Sequence, residues 1–309
     1  PSIIRSGYDV RLAAGAITAG GTLGILIPPS VMLIVMGPVI GVPATELFMA
    51  AVLPGVMLSS LYIGYCLIRC QLNPALGPPL PPEDLPPNKL VVLKELSLGV
   101  LPVVVVILAT LGVILAGIAT PTDAGAVGSF VVLLLTVATG TMDWKRFRRA
   151  TFATLQVSSM ILLLVAASNY FGAVFARLGT ANMIAEWLVS LPFPPTVMLI
   201  LILALIFVLG WPLEWVPIVL IVVPIMLPLV QKLGIDLVWF AMLVAVCLQT
   251  AWLSPPVALS AYFLKGVVPS WELGDIYRGM LQFMVLQLIG LGLLLAFPEI
   301  ALWLPRVLK

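Results

Sequence analysis

Apolar runs of about twenty residues follow one another along nearly the whole 309-residue chain, and this recurrence constrains the fold more than any other feature. A helix rises about 1.5 Å per residue and a hydrocarbon core is about 30 Å thick, so roughly 20 apolar residues make one crossing. Charged residues make up only 9% of the chain, against about 25% in a soluble domain, which leaves too little polar surface to cover a globule of this size. The expected fold is an all-α, multi-pass integral membrane protein in a lipid bilayer.

The sequence has no histidine, which excludes a Ser/His/Asp triad, an HExxH zinc site and His-ligated haem. Paired intramembrane Asp residues or a metal motif are also missing from the spans, so no enzyme is expected. A net charge of +2 without a basic, aromatic-interleaved stripe excludes nucleic acid as a partner. Cys66, Cys70 and Cys247 read as buried, inert thiols.

The crossings are expected at Leu12 to Met36, interrupted by Pro28 and Pro29, then Thr45 to Cys70 with Thr45 as N-cap, Leu96 to Ala119, Thr122 to Gly140 and Thr151 to Ala176. Thr180 to Leu191 reads as an interfacial helix. Thr196 to Leu209 and Val216 to Val230 read as the short arms of a re-entrant hairpin around Gly210 to Trp215. Leu237 to Phe263, interrupted by Pro255 and Pro256, and Leu273 to Phe297 complete the set. The expected units are 1–43, ending a first repeat; 44–95, a crossing and a Pro-rich cytoplasmic loop; 96–179, three crossings; 180–193; the hairpin 194–233; the second broken helix 234–268; and 269–309.

Lys145, Arg146, Arg148 and Arg149 lie in the expected connection between the fourth and fifth crossings and mark its side as cytoplasmic. Eleven of the fifteen Lys and Arg residues then fall on that side, which supports the crossing count. Trp144, Trp187, Trp271 and Trp303 sit near segment ends, as an aromatic belt requires. Thr120-Pro121-Thr122-Asp123 reads as an N-cap, a proline at N1 and an acid at N3.

An offset of 227 residues takes Gly7 to Gly234, Asp9 to Asp236 and Pro28-Pro29 to Pro255-Pro256, and also pairs Pro1 with Pro228 and Arg5 with Lys232. By the topology above the two copies enter from opposite sides. That is an inverted repeat, the arrangement by which a carrier opens alternately to each face. The second copy follows a hairpin, so a partner hairpin is expected ahead of residue 1 and the chain reads as N-terminally truncated.

A Pro-Pro pair removes two amide donors and frees carbonyls upstream. In the first break, Gly21, Thr22, Gly24, Pro28, Pro29 and Ser30 are candidate binding residues, and in the second Gln249, Thr250, Ser254, Pro255 and Pro256. Freed carbonyls with the hydroxyls of Thr22, Ser30, Thr250 and Ser254 offer oxygen ligands to a hard monovalent cation, while the restarting helices offer amides to an anion. The alternative is a pair of proline kinks repaired by their neighbours. Gly210 and Glu214 mark the hairpin tip. Glu214 either orients the tip, joins a cation site or carries a proton, or it simply caps the helix that follows.

GTLGILIPPS with Ser6-Gly7-Tyr8-Asp9 upstream, TPTDAGAVG at 120–128, and Leu209 to Pro228 followed by Gly234-Ile235-Asp236 and LQTAWLSPP resemble the large membrane subunit of tripartite ATP-independent periplasmic (TRAP) transporters, the DctM-like proteins. The ending, Ile276-Tyr277-Arg278-Gly279 with residues 300–305, is similar to the subgroup labelled for mannitol or chloroaromatic compounds. The resemblance implies an elevator-type secondary transporter in the bacterial inner (cytoplasmic) membrane. It also implies Na+ as coupling ion, a small organic acid as substrate, a periplasmic binding protein that delivers it and a small four-helix membrane subunit alongside, with no further cofactor. Glu214 stands where the family pattern has Asp and Cys247 where the subgroup has a polar amide, so ion stoichiometry or site geometry is where a difference is expected.

Overall fold

A computed structural model describes residues 3, 6–79, 88–179, 183, 186, 187, 190–255 and 258–308. Pro1, Arg5, Pro256 and most of Thr180 to Leu191 lie outside the described residues, and so do the pairings and the interfacial helix expected there. Among the described residues every regular element is helical. The helices are α1 (Val10–Leu26), α2 (Val31–Ile40), α3 (Ala44–Leu72), α4 (Lys89–Ile107), α5 (Pro121–Ala138), α6 (Trp144–Arg177), α7 (Pro195–Leu209), α8 (Trp215–Lys232), α9 (Leu237–Gln249), α10 (Leu259–Val267), α11 (Leu273–Ala296) and α12 (Glu299–Leu308). Six of the described helices are long and apolar enough to cross a membrane, and α1 with α2 forms a further pair bent by 42°.

The chain divides into two compact units, 80–165 and the remainder. In the smaller unit α4 opens into a π-helical stretch at Leu108–Gly112 and α5 packs against it. A Cβ on Gly128 would lie 2.3 Å from Thr110 Cγ2, so only glycine permits that approach. The capping box at Thr120 forms as expected: the Asp123 amide donates to Thr120 Oγ1 at 3.2 Å, and the Thr120 amide donates to Asp123 Oδ2. Outward-facing Leu, Val and Phe side chains on α4 and α5 are the surface a helix presents to lipid or to another apolar partner.

Several boundaries differ from expectation. Helix α3 begins at Ala44 with Pro43 as N-cap, so Thr45 is inside the helix. Helix α6 starts at Trp144, which puts Lys145, Arg146, Arg148 and Arg149 on its first turns and not in a connection. Lys and Arg are good helix formers, and Asp143 Oδ1 accepts from the Arg146 amide to start the helix there. Helix α8 is 18 residues long, long enough for a crossing, whereas its partner arm α7 has 15. A π-helical stretch at Ile218–Val222 takes up extra residues in α8. Trp271 is buried and not in a belt, with its carbonyl accepting from Lys265 Nζ at 2.6 Å. Cys247 is buried, but Cys66 and Cys70 are only half-buried.

The larger unit is built around α9, in which every residue from Phe240 to Gln249 is buried. Contacts along α11 fix the directions of its neighbours. Arg11 Nε donates to Asp275 at 2.9 Å, Gly15 lies against Gly279 and Phe283, and Thr22 meets Gln287, so α1 and α11 run parallel. Trp239 Nε1 donates to the Leu294 carbonyl at 2.9 Å and Gln249 meets Gln287, so α9 runs antiparallel to α11. Helices α1 and α9 therefore run in opposite directions, as an inverted repeat requires.

The repeat extends to its local chemistry. Gly7 and Gly234 both have φ of +67°, a left-handed conformation that glycine adopts without steric cost. Two residues later Asp9 caps α1 by accepting from the Leu12 amide at 2.8 Å, and Asp236 caps α9 by accepting from the Val238 and Trp239 amides at 2.9 and 3.0 Å. Asp9→Ala and Asp236→Ala are each expected to lower stability by about 1 kcal/mol. Thermal melts of the purified chain should show downward shifts of similar size, and unchanged melts would mean the caps do not form.

Candidate functional site

The first break falls at Pro28-Pro29, and the second includes Pro255. Helix α1 ends at Leu26 and Ser30 caps α2, its Oγ accepting from the Leu33 amide at 3.4 Å and donating to the Ile25 carbonyl. The second break is longer: α9 ends at Gln249, a 3-10 turn covers Thr250–Trp252, and α10 begins only at Leu259.

The four hydroxyls expected to serve as ligands are all buried, each 1% exposed. Each donates its proton to an upstream carbonyl: Thr22 to Ala19 at 2.8 Å, Ser30 to Ile25, Thr250 to Cys247 at 2.6 Å and Ser254 to Thr250 at 2.7 Å. The breaks are thus partly repaired by their own side chains, and the hydroxyl oxygens keep their lone pairs directed away from the proton. Gly21, Gly24 and Pro29 are exposed while Pro28 is buried and Pro255 half-buried. Nothing lies within 4 Å of a Cβ built on Gly21 or Gly24, so packing does not require glycine at either position.

Two groupings form in space. In the first, the hairpin tip meets the second break: Gly210, Leu213, Glu214, Ala251, Trp252 and Leu259 line one small cleft. Gly210 is buried, and a Cβ there would lie 3.1 Å from Ala251 Cβ. Glu214 is exposed and occupies the N-cap position of α8 without making a side-chain cap hydrogen bond, so the capping role is not realised. Trp252 Nε1 is buried beside this cleft with no hydrogen-bond partner among the described residues.

In the second grouping, Gln287 joins the two breaks. Its Nε2 donates to Thr22 Oγ1 at 3.0 Å and to Gln249 Oε1 at 3.4 Å, and the 227-residue offset pairs Thr22 with Gln249. Tyr62 on α3 turns its hydroxyl toward Gln287 and Thr22 without completing a hydrogen bond to either. Gln249 Nε2 and Gln287 Oε1 are likewise buried without partners among the described residues. Sequence reasoning missed Gln287 and Tyr62, and it placed Trp252 in the second break without singling it out. The available signal for Gln287 was an amide in the middle of an apolar 24-residue helix, where an unsatisfied polar group is costly.

Among the described residues no three of His, Cys, Asp and Glu converge as metal ligands. A cation held at either break would therefore be bound by carbonyl, hydroxyl and amide oxygens, a weak-field set suited to a monovalent ion that must also be released. An all-helical arrangement of the described residues, with membrane-length spans and two oppositely directed broken helices around a buried polar centre, is the architecture of a membrane transport protein.

The family model for the tripartite ATP-independent periplasmic transporter, DctM component, matches residues 1–300, and the chain belongs to that family. It is 28% identical to the C4-dicarboxylate TRAP transporter large permease protein DctM of Rhodobacter capsulatus, over 100% of this chain and 72% of the relative. It is 30% identical to the sialic acid TRAP transporter large permease protein SiaM of Vibrio cholerae, over 97% and 69%. With the 2,3-diketo-L-gulonate TRAP transporter large permease protein YiaN of Escherichia coli it shares 27% identity over 96% and 68%.

Proposed function

We propose that this chain is the large membrane subunit of a sodium-coupled, elevator-type secondary transporter. It imports a small organic acid, of the monocarboxylate, 2-oxo acid or a related class, across the bacterial inner membrane. A periplasmic binding protein delivers the acid, and a small four-helix membrane subunit completes the assembly. The observation that carries this reading is the pair of antiparallel broken helices, α1 and α9, joined through Thr22, Gln287 and Gln249 inside one compact unit. Their hydroxyls and carbonyls supply the oxygens that Na+ prefers, and the N-termini of α2 and α10 supply the positive dipole ends that a carboxylate prefers. The substrates in the relatives' names, C4-dicarboxylates, sialic acid and 2,3-diketo-L-gulonate, are all carboxylic acids, which supports an organic acid here.

A second reading is proton coupling through Glu214, favoured by its exposure at the hairpin tip beside the cleft. Uptake into proteoliposomes holding the full-length subunits and the binding protein separates the two. Replacing sodium by potassium at a constant proton gradient should reduce uptake to background, and Glu214→Gln should leave sodium-driven uptake at the wild-type level. Uptake that followed the proton gradient and vanished in Glu214→Gln would overturn sodium coupling.

A further inference from the structure

We propose that Gln287 is a positioning residue that couples the two breaks, so that an ion settling at one break sets the geometry of the other. The inference rests on the sodium-coupled reading above. Gln287 is fully buried midway along α11, and its single amide nitrogen has two hydrogens. One goes to Thr22 and the other to Gln249, six residues before Pro28 and six before Pro255 respectively.

The same donor therefore reads the same position in both repeats. Each acceptor is rigidly tied to its own break: Thr22 Oγ1 is held by its bond to the Ala19 carbonyl, and Gln249 is the last residue of α9 before the 3-10 turn. A shift of either helix end lengthens one Gln287 bond unless α11 and the other helix end follow. In a low-dielectric interior that lost bond finds no water to replace it. Gln287 Oε1 and Gln249 Nε2, buried without partners among the described residues, leave the centre able to re-pair when a helix end moves.

The test is the dependence of melting temperature on sodium concentration in the purified full chain, with potassium at equal ionic strength as reference. Ligand that binds only the folded state stabilises it in proportion to the logarithm of its concentration, with a slope set by the ions taken up together. Gln287→Met matches the side chain in length and removes both donors. It is expected to cut that slope by about half and to raise the half-saturating sodium concentration about fivefold or more. Gln287→Asn keeps a buried amide but is one methylene too short to reach both acceptors, and it gives the same readout should the methionine variant not fold. A variant that melts lower without sodium yet keeps the wild-type slope would show a merely structural role and overturn the inference. A wild-type chain that sodium does not stabilise over potassium would instead overturn the sodium reading, and the coupling with it.

Discussion

Gly279→Ala is expected to cost the chain most of its folded population, although it adds a single methyl group to a helix. A Cβ at this position would lie 2.0 Å from the Arg11 carbonyl oxygen, 2.9 Å from its carbon and 3.0 Å from the Gly15 amide nitrogen. All three are backbone atoms, so no rotamer change relieves the clash and the two helices must separate. The facing position is equally tight, since a Cβ on Gly15 would meet Phe283 at 2.5 Å and the Gly279 carbonyl at 2.6 Å. Membrane helices gain little from hydrophobic expulsion and associate through close packing, which is why small residues concentrate where backbones touch. Prying α1 from α11 also takes Gly15 off Phe283, whose ring makes edge contacts with Tyr62 and Tyr65 of α3 at separations of 5.5 and 5.3 Å. It opens the Thr22–Gln287 bond as well. Overpacking of a dense core costs about 1–3 kcal/mol, and immobile backbone on both sides places this case at or above the top of that range. Gly21→Ala is the matched control, because it lies in the partner helix α1 with nothing within 4 Å of the new methyl and should melt at or slightly above the wild-type temperature. Fluorescence-detected size exclusion and thermal melts in detergent would show the contrast. A Gly279→Ala protein melting within a few degrees of Gly21→Ala would mean that α1 and α11 do not pack this closely.

What could be read in the sequence was whatever is local in its chemistry. Proline pairs break helices wherever they occur, Asp caps the helix that starts just after it, and glycine accepts a positive φ, so the repeat of Gly7, Asp9 and Pro28 in Gly234, Asp236 and Pro255 was visible and its consequence for chain direction followed. The Thr120-Pro121-Asp123 cap was legible for the same reason. Positions decided by packing were not. Trp271 at a segment end looks like a belt residue until the chain folds over it, and Glu214 looks like a cap until its side chain is seen to make no such bond. Helix α12 was hidden because Pro298 precedes it and Pro305 lies within it, and prolines read as interruption where tertiary packing on α3 supports a helix. The candidate site divides along the same line. Its hydroxyls and prolines were named from the breaks, but the sequence marks Gln287 only as a lone amide in an apolar helix, and its role in joining the breaks follows only from α11 passing between them.

The hairpin tip makes the second large expected effect, this time on transport and not on folding. Gly210 ends α7 with its backbone against the second break, where a Cβ would stand 3.1 Å from Ala251 Cβ and 3.3 Å from the carbonyls of Ile206 and Phe207. Alanine is tight but needs a shift of only a few tenths of an ångström. Leucine has no such space, because Leu213, Trp252 and Leu259 close the rest of the cleft. The tip, bounded by Gly210 and Glu214, is short, and residues 211–214 are exposed, so a shift there disturbs few of the buried side chains of α7 and α8. Gly210→Leu is therefore expected to insert and melt within a few degrees of wild type while its uptake falls by roughly tenfold or more, since the added side chain pushes the tip off Ala251 and Trp252 in the second break. Gly210→Ala should retain most of the activity. If leucine lowered uptake only in step with the amount of folded protein, the contact between tip and break would be packing alone. If it left uptake intact, the tip could not be the element that opens and closes the second break.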